Sequence, residues 1–307
     1  MNKIGLKPGT RLYRASASAL KIAIRAAEAA GFPRFPYAVR IESTNLCNAR
    51  CINCTRDIMT RSTGVMEMGL FKKIVDECAE NDVGVIHLHN FGEPFLDRRV
   101  FDKIRYIRDR GIKTRLFTNL SIFSREAAAE LVETGLSRIK ISIDGADRET
   151  FEAIRRGLKY DKVVENIETL LDEKKRRGSK LPKVGLVFVE THENRGQTRD
   201  FKQKWKGRVD SIHIMKYHNW GGSHHADRGT DMRAMPCLRI WRTFTILYNG
   251  EAALCCMDYD GRVKLGDVTK NTIREIFKGE LLKKIKSWHL SGRFDRIPIC
   301  GRCEARR

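Results

Sequence analysis

The chain has no apolar run of 18 residues, which leaves no candidate for a membrane-spanning helix. Its start, MNKIGLKPGTRLYRASASALKIAIRAAEAAGF, is basic, but charges interrupt the apolar stretch, so it does not form a secretory h-region. Proline is scarce at seven residues and the 24 glycines are dispersed, which argues against a disordered chain. Acid is scarce too: 38 Asp and Glu face 59 Lys and Arg, for a net charge of +21. That excess attracts anions, be they nucleic acid, phosphorylated substrate or membrane headgroup. The basic residues lack interleaved aromatics and no reader motif is present, so nucleic acid is not the expected partner. The densest basic run, Lys174 to Arg177, closes a predicted helix, where cations complement the dipole. Nine cysteines, an odd number without a secretory start, do not make a disulfide framework. The expectation is a cytoplasmic protein whose clustered cysteines bind metal.

What is present is a core-forming chain of 307 residues, 41% hydrophobic, enough for one large domain or two. Leu20, Ala23, Ile24, Ala27 and Ala30 mark an amphipathic helix within an extension over residues 1–36, expected to pack on the main domain. From residue 37 the pattern alternates. Strands are predicted at 37–43, 83–91, 113–119, 138–145, 183–191 and 209–217, and helices at 68–81, 97–111, 124–135, 147–157, 162–178 and 194–207. Six such units over 37–222 give an α/β fold, an incomplete barrel, with a flat doubly wound sheet as the competing architecture. Either one places ligands at the C-terminal strand ends. Residues 223–236 read as a linker. A cysteine-rich tail, 237–307, opens with a hairpin at 244–256 turned on Asn249–Gly250, continues in one helix at 271–288 and ends on CGRCEARR.

Three cysteines, Cys47, Cys51 and Cys54, directly follow the first strand as C-x3-C-x2-C, with no fourth Cys or His nearby in sequence. Structural zinc takes four protein ligands. His87 and His89, on one face of the second strand, offer a zinc alternative. A cubane iron–sulfur cluster takes one thiolate per iron, so three thiolates leave one iron for a non-protein ligand. The pattern resembles the radical S-adenosylmethionine (SAM) superfamily. The resemblance implies a partial (β/α)6 barrel of TIM type. It also implies a [4Fe–4S] cluster whose free iron is chelated by SAM, and one-electron cleavage of SAM to a 5′-deoxyadenosyl radical. It implies a reductant such as flavodoxin or ferredoxin. NFGEP (90–94) resembles the motif whose backbone and Glu93 receive the SAM ammonium, with Gly92, Pro94 and, in place of a first glycine, Phe91. FTN (117–119), with Thr118 and Asn119, resembles the Thr-Asn motif. SIDG (142–145) resembles the segment whose Ser142 and Asp144 approach the ribose. FEAIRRG (151–157) resembles the helix whose arginine meets the SAM carboxylate, here Arg155 rather than Arg156. Asn53 stands where an aromatic often supports adenine.

Cys237, Cys255, Cys300 and Cys303 form a second set, and a zinc knuckle is its bland reading. With the following GD (266–267) the set resembles the SPASM/Twitch extension, in the shorter form that carries one auxiliary [4Fe–4S] cluster. Cys256 is left over. On a returning strand it points away from Cys255, as a buried thiol, an alternative ligand or a hydrogen-atom donor to substrate. Arg239 and Arg242 follow Cys237, and Arg242 is a candidate acid-binding or basic group. Cys78 reads as a buried apolar residue.

Substrate contacts are expected past the fifth and sixth strands, at Glu190, His192, Tyr217, His218, Asn219 and Trp220. The expected reaction is oxidation or epimerisation of a small polar molecule such as a sugar, aminocyclitol or nucleotide sugar, with the net charge favouring an anionic one. Peptide modification is the alternative, against which stands the lack of an appended leader-binding domain. A basic nucleic-acid-binding protein with structural metal sites is the alternative of another class.

Overall fold

The computed structural model describes residues 11–224 and 235–304, so the first ten residues, most of the 223–236 linker and residues 305–307 lie outside the described residues. Two compact units divide the chain: residues 40–217, and residues 1–39 together with 218–307. Helix α1 (Arg11–Ala29) therefore groups with the C-terminal residues, a departure from the expected packing on the main domain. It buries Ala17 and Ile24, and Trp241 Nε1 donates to Glu28 Oε1 at 2.7 Å. No helix among the described residues is long and apolar enough to cross a membrane.

The larger unit runs from the second half of β1 (Ala38–Ile41) through β2 (Arg50–Cys51), α2 (Met68–Glu80), β3 (Val85–His87), α3 (Val100–Asp109), β4 (Lys113–Thr118), α4 (Arg125–Glu133), β5 (Arg138–Ser142), α5 (Arg148–Ile154), β6 (Arg155–Arg156), α6 (Tyr160–Arg176), β7 (Lys183–Glu190), α7 (Thr198–Trp205) and β8 (Ser211–Lys216). Its six main strands lie side by side in chain order, β1, β3, β4, β5, β7, β8, and β3 to β8 pair in parallel. A doubly wound sheet reverses direction at a switch point. This order never reverses, which is the order of a barrel wall. Alternation assigns the faces: Leu116, Ile139, Ile141, Val184, Leu186 and Phe188 are fully buried on one side, and Phe188 meets Phe201 of α7 with ring centroids 4.8 Å apart. The other face carries Arg115, Phe117, Lys140 and Ser142, none fully buried. A packed barrel interior is filled by branched apolar residues; this one is polar.

Local signals set the helix ends. Ser124 caps α4, accepting from Ala127 N at 3.2 Å, and Gly135 follows at φ +76°. In the basic run at the end of α6, Arg176 and Arg177 pair with Glu173. The predicted helix over 147–157 stops at Ile154, because Arg155 takes φ −101°, ψ 63° and joins the short strand β6.

In the smaller unit, α8 (Arg239–Arg242) leads into β9 (Thr243–Ile246), β10 (Glu251–Ala253) and β11 (Lys264–Asp267). The β9–β10 hairpin is present, closed by Leu247 N donating to Glu251 O at 2.8 Å, with Gly250 at φ +90°. β11, an unanticipated third strand, pairs antiparallel with β10. The single helix expected over 271–288 is two, α9 (Ile273–Phe277) and α10 (Glu280–Ser291), broken where Gly279 adopts an extended conformation. The hairpin strand ends at Ala253, so Cys255 and Cys256 lie in the following turn and not on a strand.

Candidate active site

The first three cysteines sit in a loop whose feet are tied. Met66 N donates to Ser43 O at 2.8 Å and Asn45 N to Gly64 O at 3.3 Å. The Asn45 side chain accepts from Gly64 N at 2.8 Å and donates to Ser62 O at 2.9 Å. Within the loop Cys54 N donates to Cys51 O at 3.0 Å, and Cys51 pairs directly opposite Arg155 across the β2–β6 ladder. The thiols lie within electrostatic reach of one another. Burial first, and then Cys51 and Cys47, push the Cys54 thiol up to about 11, and burial also raises Cys47 and Cys51. Each must lose a proton to ligate iron, so a cationic centre has to supply the missing stabilisation. Arg155 contributes part of it, with Nη1 donating to Cys51 Sγ at 3.7 Å. Among the described residues no three His, Cys, Asp or Glu side chains converge around a single metal ion. His89 is no zinc ligand in this arrangement, because its Nε2 meets Arg40 Nη1 at 2.7 Å. Three thiols in one loop, with one guanidinium beside them and no fourth protein donor among the described residues, fit a cluster that leaves one iron open.

Glu93 clasps three strand ends. Its N–H donates to Leu46 O at 2.7 Å in the cysteine loop. Its carboxylate accepts from Thr118 Oγ1 at 2.6 Å, Asn119 N at 2.7 Å and Phe95 N at 3.2 Å. Burial pushes this carboxyl up to about 7 against those three hydrogen bonds. A carboxylate has about four acceptor sites, so one is left for a cation. Gly92 has φ +86°, and a Cβ there would lie 2.5 Å from Thr44 O, so only glycine lets the two loops approach. Pro94 is buried at the start of the turn that follows. Phe91, in the place of a first glycine, is buried beneath the Arg61 guanidinium, 5.9 Å from its ring centroid.

Several expected ligand contacts are instead spent within the protein. The Thr118 hydroxyl donates to Glu93 and accepts from Leu120 N at 2.8 Å. Asn119 Nδ2 donates to Asn48 Oδ1 at 3.0 Å, and its Oδ1 accepts from Ser121, so it ties β4 to the cysteine loop. Asp144 is fully buried and accepts from Arg155 Nη2 at 2.6 Å, Arg155 Nε at 2.9 Å, Asn53 Nδ2 at 3.1 Å and Val189 N at 2.8 Å. Its Oδ2 takes both Arg155 bonds and Asn53, and its Oδ1 takes Val189 N, so the carboxylate holds Arg155 in place. Asn53, offering no ring, orients this carboxylate. Arg155 is the arginine in the site; Arg156 is exposed. Asp144 and Cys51 raise the proton affinity of Arg155 beyond what burial takes away, so it stays charged. Ser142 stands half-buried on the polar face.

The remaining substrate candidates divide between the two units. Glu190 shares the helix-facing parity of Leu186 and Phe188, and its Oε1 accepts from Thr198 Oγ1 of α7 at 3.0 Å. His192 is exposed in the next loop, and Tyr217 is half-buried with its N–H donating to Glu190 O at 3.1 Å. In the smaller unit His218 and Trp220 form an edge-to-face pair with centroids 4.5 Å apart. Asn219 donates to Arg302 O at 2.7 Å and accepts from Glu304 N at 3.1 Å, fastening the C-terminal segment.

The second cysteine set does gather. Trp220, Cys255 and Cys256 pack on Met257 and Cys303, and burial followed by Cys256, Cys300 and Cys237 pushes the Cys255 thiol well up. Met257 N donates to Cys255 Sγ at 3.4 Å, and Cys303 N to Cys300 O at 3.2 Å. Asp258 accepts from Arg262 N at 2.8 Å and Val263 N at 2.9 Å, shaping the turn after Cys255. Cys256 therefore lies among the other thiols, not turned away from them. Arg239, not Arg242, is the cation of the set: burial lowers its proton affinity, and Cys256, Cys237, Cys255 and Cys303 raise it by more. Arg242 is exposed, its guanidinium 5.8 Å from the Tyr37 ring centroid.

Sequence reasoning missed Glu42 and Arg61, a buried bidentate pair with Nη1 to Oε2 at 2.6 Å and Nη2 to Oε1 at 2.5 Å, and also Asn45 and Asn48. Alternation of Arg40 and Glu42 in the first strand was the one available signal for Glu42.

Residues 41–201, just over half the chain, match the Radical SAM superfamily, and residues 237–304 match the SPASM iron–sulfur cluster-binding domain. The chain is 28% identical over 159 residues to a tungsten-containing aldehyde ferredoxin oxidoreductase cofactor-modifying protein of Pyrococcus furiosus, covering 50% of this chain and 44% of that one. It is 31% identical over 114 residues to a PqqA peptide cyclase of Bradyrhizobium diazoefficiens, covering 36% and 30%. These matches span less than half the length of either relative. Among solved structures, BtrN in complex with AdoMet and 2-DOIA superposes with a TM-score of 0.62 at 15% identity, covering 88% of this chain and 93% of that one. That likeness establishes the fold.

Proposed function

The chain belongs to the radical SAM superfamily and carries a SPASM domain, and on that premise we propose that it binds SAM at residues 92–155 and oxidises or epimerises a small polar molecule. SAM, a [4Fe–4S] cluster and auxiliary iron–sulfur are the cofactors that these two domains imply. In this reading Cys47, Cys51 and Cys54 hold the first cluster, and Cys237, Cys255, Cys300 and Cys303 hold the auxiliary one. The bound group supplies one-electron cleavage of SAM to a 5′-deoxyadenosyl radical, which takes a hydrogen atom from substrate.

The observation that carries the reading is the Arg155 guanidinium fixed between Asp144 and Cys51. It offers a charged donor for the SAM carboxylate beside a thiol ligand. Glu93 has one acceptor site left for the SAM ammonium, and Gly92 brings its backbone against the cysteine loop. The polar face of the sheet receives the substrate. Arg239 offsets the charge of the second thiolate set. A one-electron donor such as flavodoxin or ferredoxin completes the system, placed in the cytoplasm.

The polar, cation-bearing face of the sheet supports a small polar substrate, while similarity to a PqqA peptide cyclase favours peptide modification as a second reading. Formation of 5′-deoxyadenosine by anaerobically reconstituted, dithionite-reduced protein tests the common part. Faster formation with cyclitols or sugar nucleotides supports the first reading, and faster formation only with peptides supports the second. No 5′-deoxyadenosine under any condition contradicts both.

A further inference from the structure

We propose that the polar face of the barrel sheet is an anion site, in which Arg40, Lys140, Arg138 and Arg115 hold a phosphate or carboxylate group of the substrate. This rests on the reading above that the same face receives the substrate. The four cations come from three strands. Arg115 of β4 pairs in register with His87 of β3 and with Arg138 of β5, and Phe117 with Lys140, so their side chains share one face. Lys140 lies two residues below Ser142 on β5, about 7 Å down the strand from the SAM-binding end.

Two observations set this face apart from the rest of a basic protein. First, its cations have no acid. Outer-face arginines such as Arg105, Arg110, Arg177 and Arg208 each pair with a carboxylate. Among the described residues Arg40, Arg115, Arg138 and Lys140 form no salt bridge. Two buried carboxylates of the same unit are taken: Glu42 binds Arg61 through both oxygens, and Asp144 binds Arg155. Lys140 accordingly has its proton affinity lowered, by burial and then by Arg138 and Arg115. Gathering four cations without a counter-charge costs stability unless an anion is bound.

Second, the same face holds buried ring nitrogens without a good hydrogen bond. His89 Nε2 meets the Arg40 guanidinium, which can only donate, so Nε2 accepts and the proton of neutral His89 sits on Nδ1. Burial, and then Arg40 and His87, keep His89 neutral. Neither its Nδ1 nor that of His87, two residues back on the same face, makes a hydrogen bond of normal geometry, the Arg115 carbonyl lying beside His89. A buried polar group left without a good hydrogen bond is costly, and a ligand rich in acceptor oxygens, directly or through a water, recovers that cost. Phe117, with Lys140 Nζ 5.2 Å from its centroid and the His89 ring 4.4 Å away, gives the cluster one apolar wall.

The test is calorimetric titration of the anaerobically reconstituted, SAM-loaded full chain with inorganic pyrophosphate and, separately, citrate. One ion per chain is expected, weakened about tenfold or more in Lys140→Gln and in Arg40→Gln, since each removes a charge-assisted hydrogen bond. Lys140→Arg is expected to retain binding. Arg108→Gln, on the outer face, serves as the control for net charge, and thermal melts show that each variant is folded. Preference for pyrophosphate assigns a phosphorylated substrate, and preference for citrate a polycarboxylate. Equal affinity in wild type and folded Lys140→Gln, an equal loss in Arg108→Gln, or no binding overturns the proposal. Absence of 5′-deoxyadenosine formation from SAM would instead overturn the enzymatic reading, and is measured independently of the titration.

Discussion

Cys51 and Arg155 stand directly opposite each other on a two-residue antiparallel ladder, with Arg155 Nη1 3.7 Å from the Cys51 sulfur. The ladder couples the cysteine loop to the end of α5, so a ligand held by Arg155 is held beside the thiols as well. Arg155→Lys keeps a charge but loses the fork that engages Asp144 through Nε and Nη2. The expected result is a loss of about 2–3 kcal/mol in SAM affinity, roughly 30- to 150-fold, with cluster iron retained. Equilibrium dialysis of SAM against iron-replete variant checks both halves.

Gly92→Ala places a Cβ 2.5 Å from Thr44 O and 2.7 Å from Leu46 O, both backbone. The loops must separate, and the Glu93 N–H bond to Leu46 O goes with them. Urea denaturation is expected to show a loss of about 2–3 kcal/mol, and SAM cleavage is expected to fall further than stability does.

Lys103 is completely buried and donates to Asp97 Oδ2 and Met66 O, both at 2.7 Å, while Ser43 Oγ donates to the same carboxylate oxygen. This network anchors α3 under the cysteine loop. Lys103→Met leaves Asp97 charged, buried and without its cation, and is expected to cost about 3–5 kcal/mol in urea denaturation. The double variant Lys103→Met with Asp97→Leu is expected to recover part of that loss.

Asp210 joins β7 to the end of α6. Burial pulls its carboxyl up, but the Val184 N–H, Lys183 and Lys174 together hold it below the ordinary 3.8. The folded chain thus gives up this proton more readily than the unfolded one. Its stabilisation is fully present above about pH 4 and is lost as pH falls through the folded value. Asp210→Asn is expected to lose up to about 1 kcal/mol at pH 7, because the group is partly exposed, and to converge on wild type near pH 2. Urea midpoints at the two pH values check the crossover.

Much of the site was legible because it follows strand order. Three cysteines after the first strand, Gly92–Pro94 after the second, Thr118 and Asn119 after the third and Asp144 after the fourth come together as spacing along a barrel wall requires. What the sequence hid was how each polar group is spent. Thr118, Asn119 and Asp144 bond to protein partners 25, 71 and 11 residues away, and no local pattern reports such a distance. Glu190 is different: its parity with Leu186 and Phe188 was readable and already put it on the helix side. Cys256 was misplaced because the hairpin strand was run past Ala253, where the backbone turns. The grouping of α1 with the C-terminal residues rests on contacts such as Glu28 to Trp241, 213 positions apart, which composition cannot signal.

Iron and acid-labile sulfide per chain, measured after anaerobic reconstitution of wild type and of the triple variant Cys47→Ala, Cys51→Ala, Cys54→Ala, test the central claim most directly. Two cubanes predict about eight irons in wild type and about four in the variant, with SAM cleavage abolished. Equal iron in the two proteins, or four irons and one zinc in wild type with the zinc at the C-terminal set, would contradict the two-cluster assignment.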